Sequence, residues 1–189
     1  MHLWIRSEVR NFEKRVGITP NAVLELISKG FEVTVEESNS RALPIKEYRN
    51  AGANIVPSNS WPSAPDHAII FGLKELPENI ETLKHRHIMF GHAYKGQSGA
   101  STLLKRFKNG GGALYDLEYL LNKNGSRIAA FGYWAGFAGA AVSLKVWLHQ
   151  QNNKSPGPEN INIYAGRDEL IQDLVNEFDD KNINNLNKP

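Results

Sequence analysis

Ala68-Ile69-Ile70-Phe71-Gly72-Leu73-Lys74-Glu75-Leu76-Pro77, residues 68–77, is the stretch whose reading decides the fold. It opens on four apolar residues with no polar alternation, the pattern of a central parallel strand covered on both faces. It then stops at a glycine and presents an ionisable side chain. His87-Ile88-Met89-Phe90-Gly91-His92 repeats the design nineteen residues on. Two such runs, each strand then glycine then charge, predict parallel neighbours whose carboxyl ends face a ligand.

Working outward, apolar runs alternate with helix-like segments. Leu3-Trp4-Ile5 reads as a short strand, and Thr19-Pro20 as an N-cap with proline at the first helical position. Val23, Leu24, Leu26 and Ile27 are the expected apolar face of that helix, and Gly30 its stop. Phe31–Val35 predicts a strand, Pro44–Ala51 a short helix and Asn54-Ile55-Val56 another strand. Leu103–Phe107 predicts a helix stopped at Asn109-Gly110-Gly111-Gly112, before a strand from Ala113. Asn122–Ser126 is a turn, and Arg127–Phe131 is expected to be the next strand. Helices are expected over Ala135–His149 and Asp168–Phe178, with a polar break at Asn152–Pro158 and an asparagine-rich tail, Asp179–Pro189, that would not pack alone. The expected fold is α/β, an open, mostly parallel sheet with helices on both faces, followed by linking helices. The expected division is residues 1–132 as a substrate-binding α/β domain and 133–189 as a helical linker.

Composition narrows the function. The chain has 189 residues, with 22 Lys+Arg against 20 Asp+Glu, a net charge of +2 too small for a dedicated polyanion binder. No nucleic-acid partner is expected. It contains no cysteine, so disulfides, thiolate metal sites and cysteine nucleophiles are excluded. Charges at Arg6 and Glu8 interrupt any amino-terminal apolar stretch, so no export signal is expected and the cytoplasm is the expected location. Ile128–Leu144 carries no formal charge but is shorter than the ~20 residues a spanning helix needs, and no membrane role is expected.

Two clusters carry chemistry. Lys74 and His92 at adjacent strand ends make a plausible acid–base couple; the other reading is an ordinary loop lysine and a turn histidine. Arg15 precedes a helix start, where a guanidinium can hold a carboxylate through two hydrogen bonds, or can simply be solvated among Arg10, Glu13 and Lys14. Glu118 and Arg127 flank the Asn122–Ser126 turn and could pair. His85-x-His87 has the spacing of a metal pair, but no third ligand supports it and no metal is expected. No Gly-x-Gly-x-x-Gly follows any strand, and Gly110-Gly111-Gly112 precedes one, the wrong side for cradling phosphate.

From Leu3 to Trp147 these clusters resemble the amino-terminal half of the NAD-dependent, lysine-forming saccharopine dehydrogenase family, akin to alanine dehydrogenases and transhydrogenase subunits. The resemblance rests on Arg15 with Thr19-Pro20, Phe31–Glu36, Ala51-Gly52-Ala53 with Ile55-Val56-Pro57, Gly72–Pro77, His92–Gln97, Gly112–Glu118, Arg127–Gly132 and Ala135–Ala141. It implies an enzyme that oxidises saccharopine with NAD and hydrolyses the imine to lysine and 2-oxoglutarate. By that resemblance Lys74 and His92 match the acid–base pair. Arg15, Lys74, Gln97, Arg127 and Phe131 match substrate contacts, while Lys95 and Glu118 match charged residues of the cleft. Ser126-Arg127 stands where the family commonly has Arg-Arg, a position associated with the dinucleotide, and Arg10 replaces a usual lysine. The resemblance also implies that NAD is bound mainly by a domain beyond Pro189. The expected partners are the small amino-acid substrate and a separate NAD-binding half or a second copy. The competing expectation is a stand-alone amino-acid or dicarboxylate-binding module without redox activity.

Overall fold

Six short runs of apolar and β-branched residues form a single all-parallel sheet in the computed structural model, which describes residues 1–152, 155–164 and 166–180. The strands are β1 (His2–Ile5), β2 (Glu32–Glu36), β3 (Asn54–Val56), β4 (Ile69–Phe71), β5 (Arg86–Met89) and β6 (Ala113–Asp116), in the order β3-β2-β1-β4-β5-β6. Register is set residue by residue: Leu3 lies beside Val33 on one flank and Ile69 on the other. Because side chains alternate along a strand, β1 sends Leu3 and Ile5 to one core and Trp4 to another. The first core takes Val23 from α1 (Pro20–Ser28) and Tyr48 from α2 (Ile45–Asn50). The second takes Phe107 from α3 (Ala100–Gly110), with Trp61 from a single 3-10 turn. Helices therefore cover both faces.

Local signals hold the helices in place. Thr19 accepts the Ala22 N–H through its hydroxyl (3.3 Å), as its position before Pro20 predicts. Leu24 departs from the expected apolar face and points to solvent, one position round the helix from fully buried Val23. At the end of α3, a Cβ on Gly110 or Gly112 would run into the backbone of Leu83, so these glycines let the helix end close on that segment. Gly111 between them sits at φ +74°, a left-handed conformation that favours glycine.

The expected strand at Arg127–Phe131 does not form. The turn holds, with the Asn122 N–H on the Ser126 carbonyl (2.8 Å) and Gly125 at φ +76°. It folds the chain back for one antiparallel bridge, Leu121 to Arg127, and one more bond from the Ile128 N–H to the Leu120 oxygen (2.9 Å). Ile128 then faces solvent, with no apolar surface to continue the pairing.

The chain divides into two compact units, Met1–Ala129 and Ala130–Pro189. The second contains α4 (Gly132–Asn152) and α5 (Arg167–Asp180). Lys145 of α4 is 6% exposed and donates to Asp173 (2.6 Å) and Glu177 of α5. Burial alone would lower its pKa, but those hydrogen bonds outweigh burial and hold it raised. Among the described residues no helix is long and apolar enough to cross a membrane. The polar break lies partly, and the asparagine-rich tail almost wholly, outside the described residues.

Candidate functional site

All six strands run the same way, so their carboxyl ends share one edge of the sheet. The chain order changes direction between β1 and β4, and a ligand crevice is expected there. Arg6, Ser7 and Glu8 follow β1, Gly72-Leu73-Lys74 follow β4, Phe90-Gly91-His92 follow β5, and Leu117-Glu118 follow β6. The ladder between β4 and β5 continues past the strands: the Gly72 N–H meets the Ile88 oxygen (3.0 Å) and the Phe90 N–H the Leu73 oxygen (3.3 Å). Lys74 and His92 thus leave the sheet from paired ends.

His92 is half-exposed, stacks on Phe90 (ring centroids 6.3 Å, 21° between planes) and has φ +47°. Such a backbone in a residue other than glycine stores strain that surrounding contacts must hold. Its Nδ1 lies 3.5 Å from Glu118 Oε2. Glu118 gathers the cluster: Lys95 Nζ donates to Oε1 (2.8 Å), and Arg127 Nη1 stands 4.0 Å from the same oxygen. The Lys95 hydrogen bond, with the charges of Lys95, His92 and Arg127, holds the Glu118 carboxyl below the usual range. Asp116 sets the geometry, its Oδ1 accepting the Gly91 N–H (3.2 Å) and the Glu118 N–H (3.0 Å). Gln97 steadies the same loop by accepting the Lys95 N–H (2.8 Å).

A second group lies across β4. Arg15 is bonded to Glu13 through Nε (2.8 Å) and Nη2 (2.6 Å), with Glu13 buried and Arg15 half-exposed. Arg15 chiefly, and the nearby Lys74 charge to a lesser degree, keep the Glu13 carboxyl below its ordinary pKa. Arg10 pairs with Glu75 (3.3 Å). The structure therefore brings together His92, Lys95, Glu118, Arg127 and Gln97, and separately Arg15, Glu13 and Lys74. Ser126 is tied into its turn by the Asn122 side chain (2.9 Å). Phe131 belongs to the second unit, where its carbonyl accepts the Ala135 N–H (2.8 Å).

Of the hollows at this edge, two border His92 or Arg15. One of about 540 Å3 is lined by His92, Phe90, Glu75 and the start of α3, a size suited to a small ligand. The other, between Glu8, Glu13, Arg15 and Gly72, encloses about 20 Å3, room for about one water. His85 and His87 take no part: both are buried, with the His87 ring edge-on to Trp61 (5.0 Å) and Phe107 (5.3 Å). Burial pushes His87 down to about 3, so it packs as a neutral ring. His2, Glu32 and His67 stand close together at the opposite edge of the sheet, but His2 Nε2 is already hydrogen-bonded to Thr34 (2.8 Å).

Sequence reading missed Arg6, Glu8 and Asp116 as site residues. Their signal was positional: each is a charge at or just beyond the end of an apolar strand.

Residues 4–138 match the alanine dehydrogenase/PNT N-terminal domain family. The chain belongs to that family. This alanine dehydrogenase/PNT N-terminal domain is 46% identical to a Candida albicans saccharopine dehydrogenase [NAD(+), L-lysine-forming], over 94% of this chain and 49% of the relative. It is 51% identical to the Schizosaccharomyces pombe protein of the same name, over 79% and 41%. A rat mitochondrial alpha-aminoadipic semialdehyde synthase shares 32% over 71% of this chain and 14% of its own length. The chain spans about half the length of the fungal relatives it matches. Among solved structures, an L-alanine dehydrogenase superposes with TM-score 0.59 at 17% identity (94% of this chain, 52% of that one). The transhydrogenase of Sinorhizobium meliloti gives 0.59 at 19% (77% and 44%), and both likenesses show the fold.

Proposed function

We propose that this chain is the substrate-binding half of a lysine-metabolism oxidoreductase that converts saccharopine to lysine and 2-oxoglutarate with NAD. The observation that supports this best is the extended β4–β5 ladder, from whose neighbouring ends the chain leads to Lys74 and to His92.

The described residues do not fit NAD. The turn after β1 is Arg6-Ser7-Glu8 rather than glycine-rich, the Glu8 carboxylate occupies the crevice, and about 20 Å3 remains there. A carboxylate repels a pyrophosphate, and no helix starts at that turn to hold one. The dinucleotide belongs to another part of the protein, with Ser126 and Arg127 as this chain's proposed approach to it.

Two tasks then fall to the residues here. Saccharopine carries three carboxylates, which Arg15 and Arg127 are suited to hold; Arg15 must share or exchange Glu13 to do so. Lys95 and Glu118 set the charge of the cleft, and Gln97 completes the proposed substrate contacts within the Met1–Ala129 unit. Lys74 and His92 move protons. One takes the secondary-amine proton, and the other serves addition of water to the imine and breakdown of the adduct. The partner Glu118, its carboxyl held below the usual range, stands 3.5 Å from His92 Nδ1 and orients the ring.

The test is steady-state kinetics over pH in a protein supplied with its NAD-binding half. Lys74→Met and His92→Gln should each lower turnover by roughly 10²–10⁴-fold, with thermal midpoints hardly moved. Full activity in either variant refutes the assignment.

A further inference from the structure

Arg6 and Glu8 are charged, nearly excluded from water, and play no part in the chemistry above. Arg6 is 2% exposed, and the Glu8 side chain 10%. Both are directed at the backbone of the neighbouring strand end, from the Leu73 N–H to the Lys74 carbonyl. Glu8 Oε1 accepts the Leu73 N–H (2.6 Å), and its Oε2 accepts the Lys74 N–H (3.0 Å). Arg6 Nη1 reaches the same carboxylate (3.2 Å), while Nη2 donates to the Lys74 carbonyl oxygen. The peptide groups on both sides of the Lys74 Cα are therefore bound by one ion pair.

The arrangement is costly. Burial pushes the Arg6 guanidinium below its ordinary pKa, and its Nε, enclosed by protein, makes no hydrogen bond. The guanidinium also constrains the chain, because a Cβ at Gly72 would run into it. A buried pair of this kind adds little to stability compared with apolar residues of the same volume. What it supplies is geometry: the Lys74 backbone is fixed from both sides at the end of β4, where a lysine side chain alone has four rotatable bonds to wander through.

We propose that Arg6 and Glu8 are positioning residues that clamp the Lys74 backbone and so aim its ammonium at the reacting nitrogen. This rests on the acid–base role proposed for Lys74. The same two residues fill the crevice between β1 and β4, so a place that holds phosphate in dinucleotide-binding sheets holds a lysine loop instead. Misplacing a catalytic group by about 1 Å can cost 10²-fold in rate, and a loosened clamp falls within that range.

A double-mutant cycle on turnover, in the protein supplied with its NAD-binding half, tests the clamp. Glu8→Gln keeps the shape and one acceptor but gives up the charge and the second carboxylate oxygen. It should lower kcat by about 10-fold or more, leave the saccharopine KM within about 3-fold, and displace the limb of the pH profile that Lys74→Met abolishes. In a Lys74→Met background it should change kcat by less than about 2-fold, since no ammonium is left to aim. Gly72→Ala, whose Cβ would run into the Arg6 guanidinium, should reproduce the pattern if Glu8→Gln folds poorly. Equal losses in both backgrounds, or unchanged kcat in folded Glu8→Gln and Gly72→Ala proteins, overturn the clamp while Lys74 keeps its role. Full activity of Lys74→Met overturns both.

Discussion

His87 shows how a single residue ties acid stability to packing. Its ring is wedged edge-on between Trp61 and Phe107 and is held down to about 3 by burial first, with the charges of Arg6 and Arg106 adding to it. In the unfolded chain the same ring titrates near 6.5, so below that pH the unfolded state binds a proton that the folded state refuses. Stability is therefore complete above about 6.5 and drains away as pH falls toward 3. Between pH 7 and pH 4.5 this one group should remove roughly 2–3 kcal/mol. His87→Phe should flatten that part of the curve in urea titrations at the two pH values, and an unchanged slope would show that the ring titrates freely. The spacing His85-x-His87 suggested ligands; what it encoded was two rings on the Trp61 side of the sheet. Spacing places side chains on a face but says nothing of what covers that face. The place of Lys74 and His92 at the sheet's rim, though not their proposed chemistry, was legible for the opposite reason, since a charge soon after an apolar strand and a glycine emerges there.

Elements were legible wherever the local signal and the tertiary contact agreed. Thr19-Pro20 starts α1 where the cap predicts, and the apolar runs at 68–71 and 87–90 give β4 and β5 to within two residues. The run at 127–131 failed because a strand needs a partner, and here the chain makes one bridge and departs. The three glycines after α3 were read as one stop signal, yet they do different work. Gly111 supplies a left-handed turn with open space around it, whereas Gly110 and Gly112 make room for the Leu83 backbone. Gly112→Ala should cost about 1–3 kcal/mol, because the obstacle is backbone and cannot swing away. Gly111→Ala should cost about 1 kcal/mol, the conformational term alone. Denaturant midpoints for the two variants, at matched slopes, distinguish them. If Gly111→Ala is the more damaging, the close approach at Leu83 is not what fixes this corner.

At the scale of the molecule, strand order was the least legible feature, because it depends on pairings between segments far apart in sequence. The order found, 3-2-1-4-5-6, is the one dinucleotide-binding sheets share, and topology alone would place NAD in the crevice between β1 and β4. The side chains argue otherwise. Glu8 takes the Leu73 and Lys74 N–H groups that an anion would need, Arg6 lies across Gly72, and the remaining hollow holds about one water. The Met1–Ala129 unit should therefore bind the carboxylate-bearing substrate without binding the cofactor. With this 189-residue chain as the sole protein, millimolar NAD should leave the melting temperature unmoved, and NAD with saccharopine should yield no NADH. Saccharopine or 2-oxoglutarate should raise the melting temperature in step with log concentration, as a ligand of the native state must. Arg15→Ala should weaken that rise, and in the protein supplied with its NAD-binding half it should raise KM more than it lowers kcat, since a held carboxylate is bound alike in ground and transition states. A melting-temperature rise with NAD alone would mean that the crevice opens and that the sheet still does what its topology suggests.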